Sequence, residues 1–142
     1  MKRTIIILLV VLLPCLSMFN SCSGKKVKIG LLMDNYEQDR WIRDRDYFIQ
    51  KARELGAEVL VEVADGNAAK QLEQAHKLLD EKVNVLVVVP ADLNEAAKII
   101  PLAHRYRVRV LSYDRLIKDC NLDFYISFDN VEVGALQAEY LT

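Results

Sequence analysis

From residue 27 onward the chain alternates between short apolar runs and longer periodic stretches. Val27–Met33 (VKIGLLM) is mostly apolar, stops at the polar segment Asp34 to Asp39, and predicts a first strand. Arg40–Leu55 places Phe48, Ala52 and Leu55 on one helical face, and Gly56 follows as its stop. Glu58–Ala64 (EVLVEVA) alternates, so it reads as a strand with one face less buried. Asp65-Gly66-Asn67 is a turn carrying a helix cap. Beyond it Ala68, Leu72, Ala75 and Leu79 recur at helical spacing. Asn84–Val89 (NVLVVV) is continuously apolar, as a central parallel strand covered on both faces must be. Leu93–Arg107 predicts a third helix with one conflict. Pro101 inside it would cost roughly 3 kcal/mol, and a restart with Pro101 in the first turn removes that cost. Val108–Ser112 is a fourth strand, Phe124–Phe128 a short fifth, and Val131–Leu141 a fourth helix.

This order predicts an α/β fold, a doubly wound parallel sheet with helices on both faces. An alternating second strand at an edge and NVLVVV near the centre give the strand order 2-1-3-4-5.

The first 22 residues follow a different pattern. Lys2 and Arg3 precede the apolar run Thr4 to Leu13, which Pro14 interrupts. Ten or so apolar residues are too few to span a bilayer, which takes about 20, but they match a secretory signal. Phe19-Asn20-Ser21-Cys22 then resembles a loose lipobox, with Cys22 as the lipidated residue; an ordinary signal peptide with an incidental cysteine is the alternative. The expected organisation is a signal peptide over 1–22, a short linker over 23–26 and an α/β lobe over 27–142.

Composition narrows the classes. Hydrophobic residues make up 52% of the 142, enough for a packed core, while aromatics are only 8%. The 19 basic and 20 acidic side chains give a net charge of −1, and removal of the signal would leave the remainder at −3. No nucleic-acid partner is expected, because nothing supplies a basic stripe to neutralise phosphates. Three cysteines do not make a disulfide framework, and cleavage would leave Cys120 as the only thiol. His76 and His104 stand alone in separate helices, so neither a metal site nor any cofactor is expected. There is no G-x-G-x-x-G, P-loop or G-x-S-x-G segment.

In a doubly wound sheet, ligands bind beyond the carboxyl ends of the strands. Each of those ends is polar here: Asp34 to Trp41, Pro90-Ala91-Asp92, Tyr113-Asp114-Arg115 and Asp129-Asn130. Adjacent Asp and Arg with a Trp suit a sugar. Carboxylate and guanidinium make charge-assisted bonds to hydroxyls, and an indole covers the apolar face of a pyranose. Structural roles compete for the same residues. Asp129, three before Glu132, fits an N-cap with a capping-box partner. Trp41 fits a core position, Asp114 and Arg115 a local ion pair, and Asp39 a helix cap. Arg43, Asp44, Arg45 and Asp46 read as a solvated charged turn. Catalysis is not expected, since Asp114 beside the cationic Arg115 makes a poor general acid.

The stretches KIGLLMDN, DRWIRDRDYF, VLVVVP, VLSYDRLIKD and DFYISFDNVEVG together resemble the sugar-binding proteins of ABC transporters, which share a fold with LacI-type repressors. Within that family the R-W-x-x-D-R-D and Y-D-R-x-I-x-D segments are similar to the xylose-type binders. The resemblance implies a two-lobe periplasmic binding protein of type I. The ligand would be a monosaccharide, D-xylose or a similar pentose, and the partner an ABC permease. It implies that Arg40, Trp41, Asp114 and Arg115 line the sugar site from the first lobe, with Asn35 and Asp129 as weaker counterparts. Pro90-Ala91-Asp92-Leu93-Asn94 departs from the family's polar loop, and the lipobox-like Cys22 implies a membrane-tethered form. By the same resemblance the chain holds one incomplete lobe, which alone is expected to bind sugar weakly or not at all. The alternative function in this fold is the extracellular sugar-sensing domain of a membrane signalling receptor.

Overall fold

The computed structural model describes residues 26–141. The signal-like segment and the lipobox-like Cys22 lie outside the described residues. Strands and helices alternate as far as the fourth strand, and a loop joins it to the fifth: β1 (Lys28–Met33), α1 (Asp39–Glu54), β2 (Glu58–Val63), α2 (Ala68–Asp80), β3 (Val85–Val88), α3 (Ile99–Arg105), β4 (Arg109–Tyr113), β5 (Phe124–Ile126) and α4 (Asn130–Leu141). They form one sheet in the order β2-β1-β3-β4-β5, every pair parallel. The alternating EVLVEV strand is the edge and VLVV is the middle, as the apolar patterns require.

Local chemistry sets the boundaries. Gly56 has φ +80°, and α1 ends in a Schellman motif: the Gly56 N–H bonds the Arg53 carbonyl and the Ala57 N–H bonds the Ala52 carbonyl. Asn67 caps α2 by accepting from the Lys70 N–H at 3.0 Å. The predicted third helix is divided. A 3-10 turn over Glu95–Lys98 leads into α3, which places Pro101 in the first turn, where its missing N–H is harmless. Asp39 is not the cap of α1. Gln38 occupies that position without a side-chain bond, and Asp39 is the first helical residue, favourable beside the positive helix end.

The two sheet faces have separate cores. Leu32, Leu86, Val88 and Val110 pack against Ala75, Leu78 and Leu79 of α2 and Ile99, Ile100, Leu102 and Ala103 of α3. Gly30 permits that contact, because a Cβ there would sit 2.7 Å from Leu86 Cδ2 and 3.0 Å from Leu78 Cδ1. On the other face Leu31, Met33, Val87 and Val89 pack with Trp41 and, at the margin, Phe48, Leu111 and Tyr113.

Candidate functional site

The parallel register levels the carboxyl ends of β1, β3 and β4, so the residues that follow them meet at one edge. The chain reverses direction across the sheet between β1 and β3, which is the crevice this topology offers to a ligand. Arg40 and Trp41 open α1 above that crevice, and Asp34, Pro90, Asp114 and Arg115 close around it.

Two ion pairs cross the crevice. Arg40 Nη2 donates to Asp114 Oδ1 at 2.8 Å. Arg115 Nη1 donates to Asp34 Oδ2 at 2.9 Å and to the Pro90 carbonyl at 3.0 Å. Asp114 and Arg115 therefore do not form a local pair with each other; each reaches a different element. The backbone explains the divergence. The Arg115 N–H bonds the Tyr113 carbonyl at 2.8 Å, closing a three-residue turn around Asp114, whose φ is +67°. That is the rarer and more strained form of the γ-turn, and it turns successive side chains apart. The turn is held from outside: the Asp114 N–H bonds the Ile126 carbonyl, and its own carbonyl accepts from Ser127 Oγ and Tyr125 OH. The Ser112 hydroxyl bonds the Arg115 carbonyl. Strained backbone braced this heavily is characteristic of ligand sites.

Trp41 is only 2% exposed. Arg40 Cζ lies 4.2 Å and Arg115 Cζ 5.6 Å from its ring centroid, so the indole supports both guanidinium groups from within the core. Asn35 donates to Asp34 Oδ2 at 2.9 Å and accepts from the Glu37 N–H, holding the loop after β1. Asp129 caps α4, its Oδ1 accepting from the Val131 and Glu132 N–H groups. The structure thus gathers Arg40, Trp41, Asp114, Arg115 and Asn35 at one edge and gives Asp129 a capping bond beside it.

Three further residues belong to this edge. Asp34 is 5% exposed, and its Oδ1, like Arg40 Nε, is buried without a hydrogen-bond partner. Gln71 is 1% exposed in α2; its Nε2 donates to the Val89 carbonyl at 2.9 Å and its Oε1 accepts from the Ala91 N–H at 3.0 Å. It grips both sides of Pro90, whose carbonyl receives Arg115. A polar residue inside the apolar stripe of α2 was the available signal for it. Phe128 is 55% exposed, with its ring 5.9 Å from Arg40 Cζ; its sequence reads only as the end of β5.

Other polar groups are absorbed by structure. His104 is not alone, since its Nε2 lies 2.9 Å from Asp123 Oδ2, which also accepts from the Val110 N–H. Asp44 belongs to no solvated turn, because it is half-buried and accepts from Tyr113 OH at 3.1 Å. Burial pushes the Tyr113 hydroxyl and the Cys120 thiol up from their ordinary values. A raised thiol gives Cys120 little thiolate for chemistry. Among the described residues no group of three or more His, Cys, Asp or Glu side chains could hold a metal ion, and no helix is long and apolar enough to cross a membrane.

Comparison with known proteins places this geometry. The family described as periplasmic binding protein domain matches residues 29–142. The chain is 43% identical over 118 residues to a D-xylose-binding periplasmic protein of Escherichia coli, covering 83% of this chain and 36% of that one. It is 40% identical over 132 residues to the D-xylose-binding periplasmic protein of Haemophilus influenzae, covering 92% and 40%. The carbohydrate transporter solute binding protein of Chloroflexus aurantiacus, solved with D-glucose, superposes with a TM-score of 0.75 at 33% identity, covering 82% of this chain and 35% of that one. The chain thus spans little more than a third of the length of the relatives it matches, and over that span its fold and its sequence agree with theirs: it belongs to the periplasmic binding protein family.

Proposed function

We propose that this chain contributes one wall of the sugar site of an extracytoplasmic solute-binding protein, and that the ligand is D-xylose or a similar pentose delivered to an ABC permease. The observation that carries the reading is the strained Asp114 turn, which sends the Asp114 carboxylate to Arg40 and the Arg115 guanidinium to Asp34, so that both signs of charge line the carboxyl edge of the sheet. A sugar hydroxyl both donates and accepts. A carboxylate accepts the hydrogen bond that its O–H donates and a guanidinium donates to its oxygen, so Asp and Arg groups together match a ring of hydroxyls. The same charges neutralise one another through Arg40–Asp114 and Arg115–Asp34, which keeps them oriented. The identity to proteins named for D-xylose supports a pentose. Lobe closure over the sugar belongs to the same reading, as does a lipid anchor at Cys22; binding needs no chemical step.

The test uses the full-length polypeptide that carries this lobe, recovered from the membrane fraction, where Cys22→Ser is expected to shift it to the soluble fraction. Calorimetric titration with pentoses and hexoses is expected to show D-xylose binding tightest. Asp114→Ala should weaken it roughly 100-fold or more, the loss of charge-assisted bonds to hydroxyls. Absence of monosaccharide binding would overturn the function, and affinity unchanged by the substitution would overturn the site.

A further inference from the structure

We propose that the amino edge of the sheet, at the opposite end from the crevice, lies against a bilayer of anionic phospholipid. The inference rests on the lipid anchor at Cys22 proposed above, and its test works without that anchor. The parallel register levels this edge: Lys28 stands opposite Glu58, Ile29 opposite Val85, and Val85 opposite Arg109. The segments that lead into the strands add Lys26, Arg53, Lys82 and Arg107, all exposed, as is Arg109. Among the described residues none of these exposed cations is in an ion pair. Two of the nearby acids are engaged, Glu54 by Lys51 and Gln50 and Asp80 by the Tyr106 hydroxyl, which leaves Glu58 and Glu81. The carboxyl edge has the opposite character. Glu37, Asp39, Asp65, Asp92 and Asp129 are exposed there, while Arg40 and Arg115 are paired with Asp114 and Asp34. The near-neutral total therefore hides a lobe that is basic at one end and acidic at the other.

Charge alone would suit any anionic surface; the apolar side chains of this edge point to a bilayer. Leu55 follows α1 on the face that helical spacing assigns to the core, yet it is 76% exposed. Val27 is 51% exposed, and its carbonyl accepts from the Glu58 N–H at the start of β2. Tyr106 is 45% exposed. Cations interleaved with leucine, valine and tyrosine meet headgroup phosphates and the acyl boundary together. Two hollows give a headgroup room: one of about 300 Å³ bordered by Lys26, Arg53 and Glu58, the other of about 290 Å³ bordered by Lys82, Tyr106 and Arg107. Cys22 lies four residues before Lys26, a span of at most about 14 Å. A lipid on Cys22 would thus hold the amino edge at the bilayer, with the crevice about 20 Å further out along β1. One lipid anchor gains much from a basic patch beside it.

The test uses the full-length protein begun at Ser23, with neither signal nor lipid. Its binding to vesicles of phosphatidylglycerol and phosphatidylcholine is compared with binding to phosphatidylcholine alone. Co-sedimentation is expected with the anionic vesicles at low salt and is lost at about 0.5 M NaCl. Lys82→Gln with Arg107→Gln should weaken it roughly 20-fold, about fivefold for each cation near the surface. Arg43→Gln with Lys118→Gln removes the same charge elsewhere and should stay within about threefold. Leu55→Ser, at unchanged charge, should cost about fivefold. Melting temperatures matching the wild type would exclude misfolding. No preference for anionic vesicles, equal losses in the two double variants, or full binding by Leu55→Ser would overturn the bilayer contact. Membrane fractionation of Cys22→Ser reads the anchor separately, so the anchor and the basic edge can fail independently.

Discussion

Beneath α2 and α3, the side chains of Leu32, Leu86, Val88 and Val110 are fully excluded from water, while on the opposite face Leu31, Met33 and Val87 floor a cavity of about 280 Å³ walled by Phe48, Tyr47 and Tyr113. The difference follows from what each face has to do. One is closed by two helices that bring leucine, isoleucine and alanine. The other is shared between α1 and the groups of the crevice, so Trp41 serves as core and as support for two arginines. Arg40, which lies over the Trp41 ring and near that of Phe128, belongs to the open side. Braces run from the closed side to the strand ends: Gln71 bonds the backbone on both sides of Pro90, whose carbonyl receives Arg115, and Asp123 bonds the Val110 N–H of β4.

Leu86→Ala is the strongest challenge to that division. It should cost about 2–5 kcal/mol in urea unfolding, because a buried leucine leaves a cavity that packed neighbours cannot fill. Phe48→Ala, on the wall of the existing cavity, should cost nearer 1 kcal/mol. Equal losses would mean that both faces carry the fold alike. Gln71→Leu sharpens the link between the halves. Stranding the Ala91 N–H should cost about 1–3 kcal/mol, and loosening Pro90 should also weaken D-xylose binding in the full-length protein. Stability lost with affinity intact would confine Gln71 to the closed face.

The smallest effect concerns Asp123. Burial pushes its carboxyl up, but the hydrogen bond from His104, the Val110 N–H and the charges of His104 and Arg109 outweigh burial and hold it below its ordinary 3.8. A carboxyl lowered in the folded state stabilises fully above the unfolded value, about 3.9, and loses that contribution as pH falls through the folded one. Thermal melts between about pH 6 and pH 3 should therefore show a shallower acid decline for Asp123→Asn, by under about 1 kcal/mol. Parallel curves would remove Asp123 from the braces.

Most of the architecture was legible because it depends on periodicity. The apolar run of β3 and the alternation of β2 placed the centre and the edge, and Gly56, Asn67 and Pro101 marked boundaries through their own backbone chemistry. Arg40, Trp41, Asp114 and Arg115 could be singled out because unlike charges and an indole at strand ends are rare in combination. Their pairing could not, since the left-handed turn at Asp114 sends neighbours in sequence to different partners. Asp34 was one acidic letter in a polar run until burial distinguished it. Phe128 was hidden because a strand read by composition alone extends through it.

Trp41 has an optical consequence. It is the one tryptophan of these 142 residues, and two guanidinium groups lie within 6 Å of its ring. Indole emission responds to the field of nearby charges. Any ligand that draws Arg40 or Arg115 toward its own oxygens changes that field without touching the ring. The lobe therefore carries its own signal for the position of the two arginines, readable with light and without an attached dye.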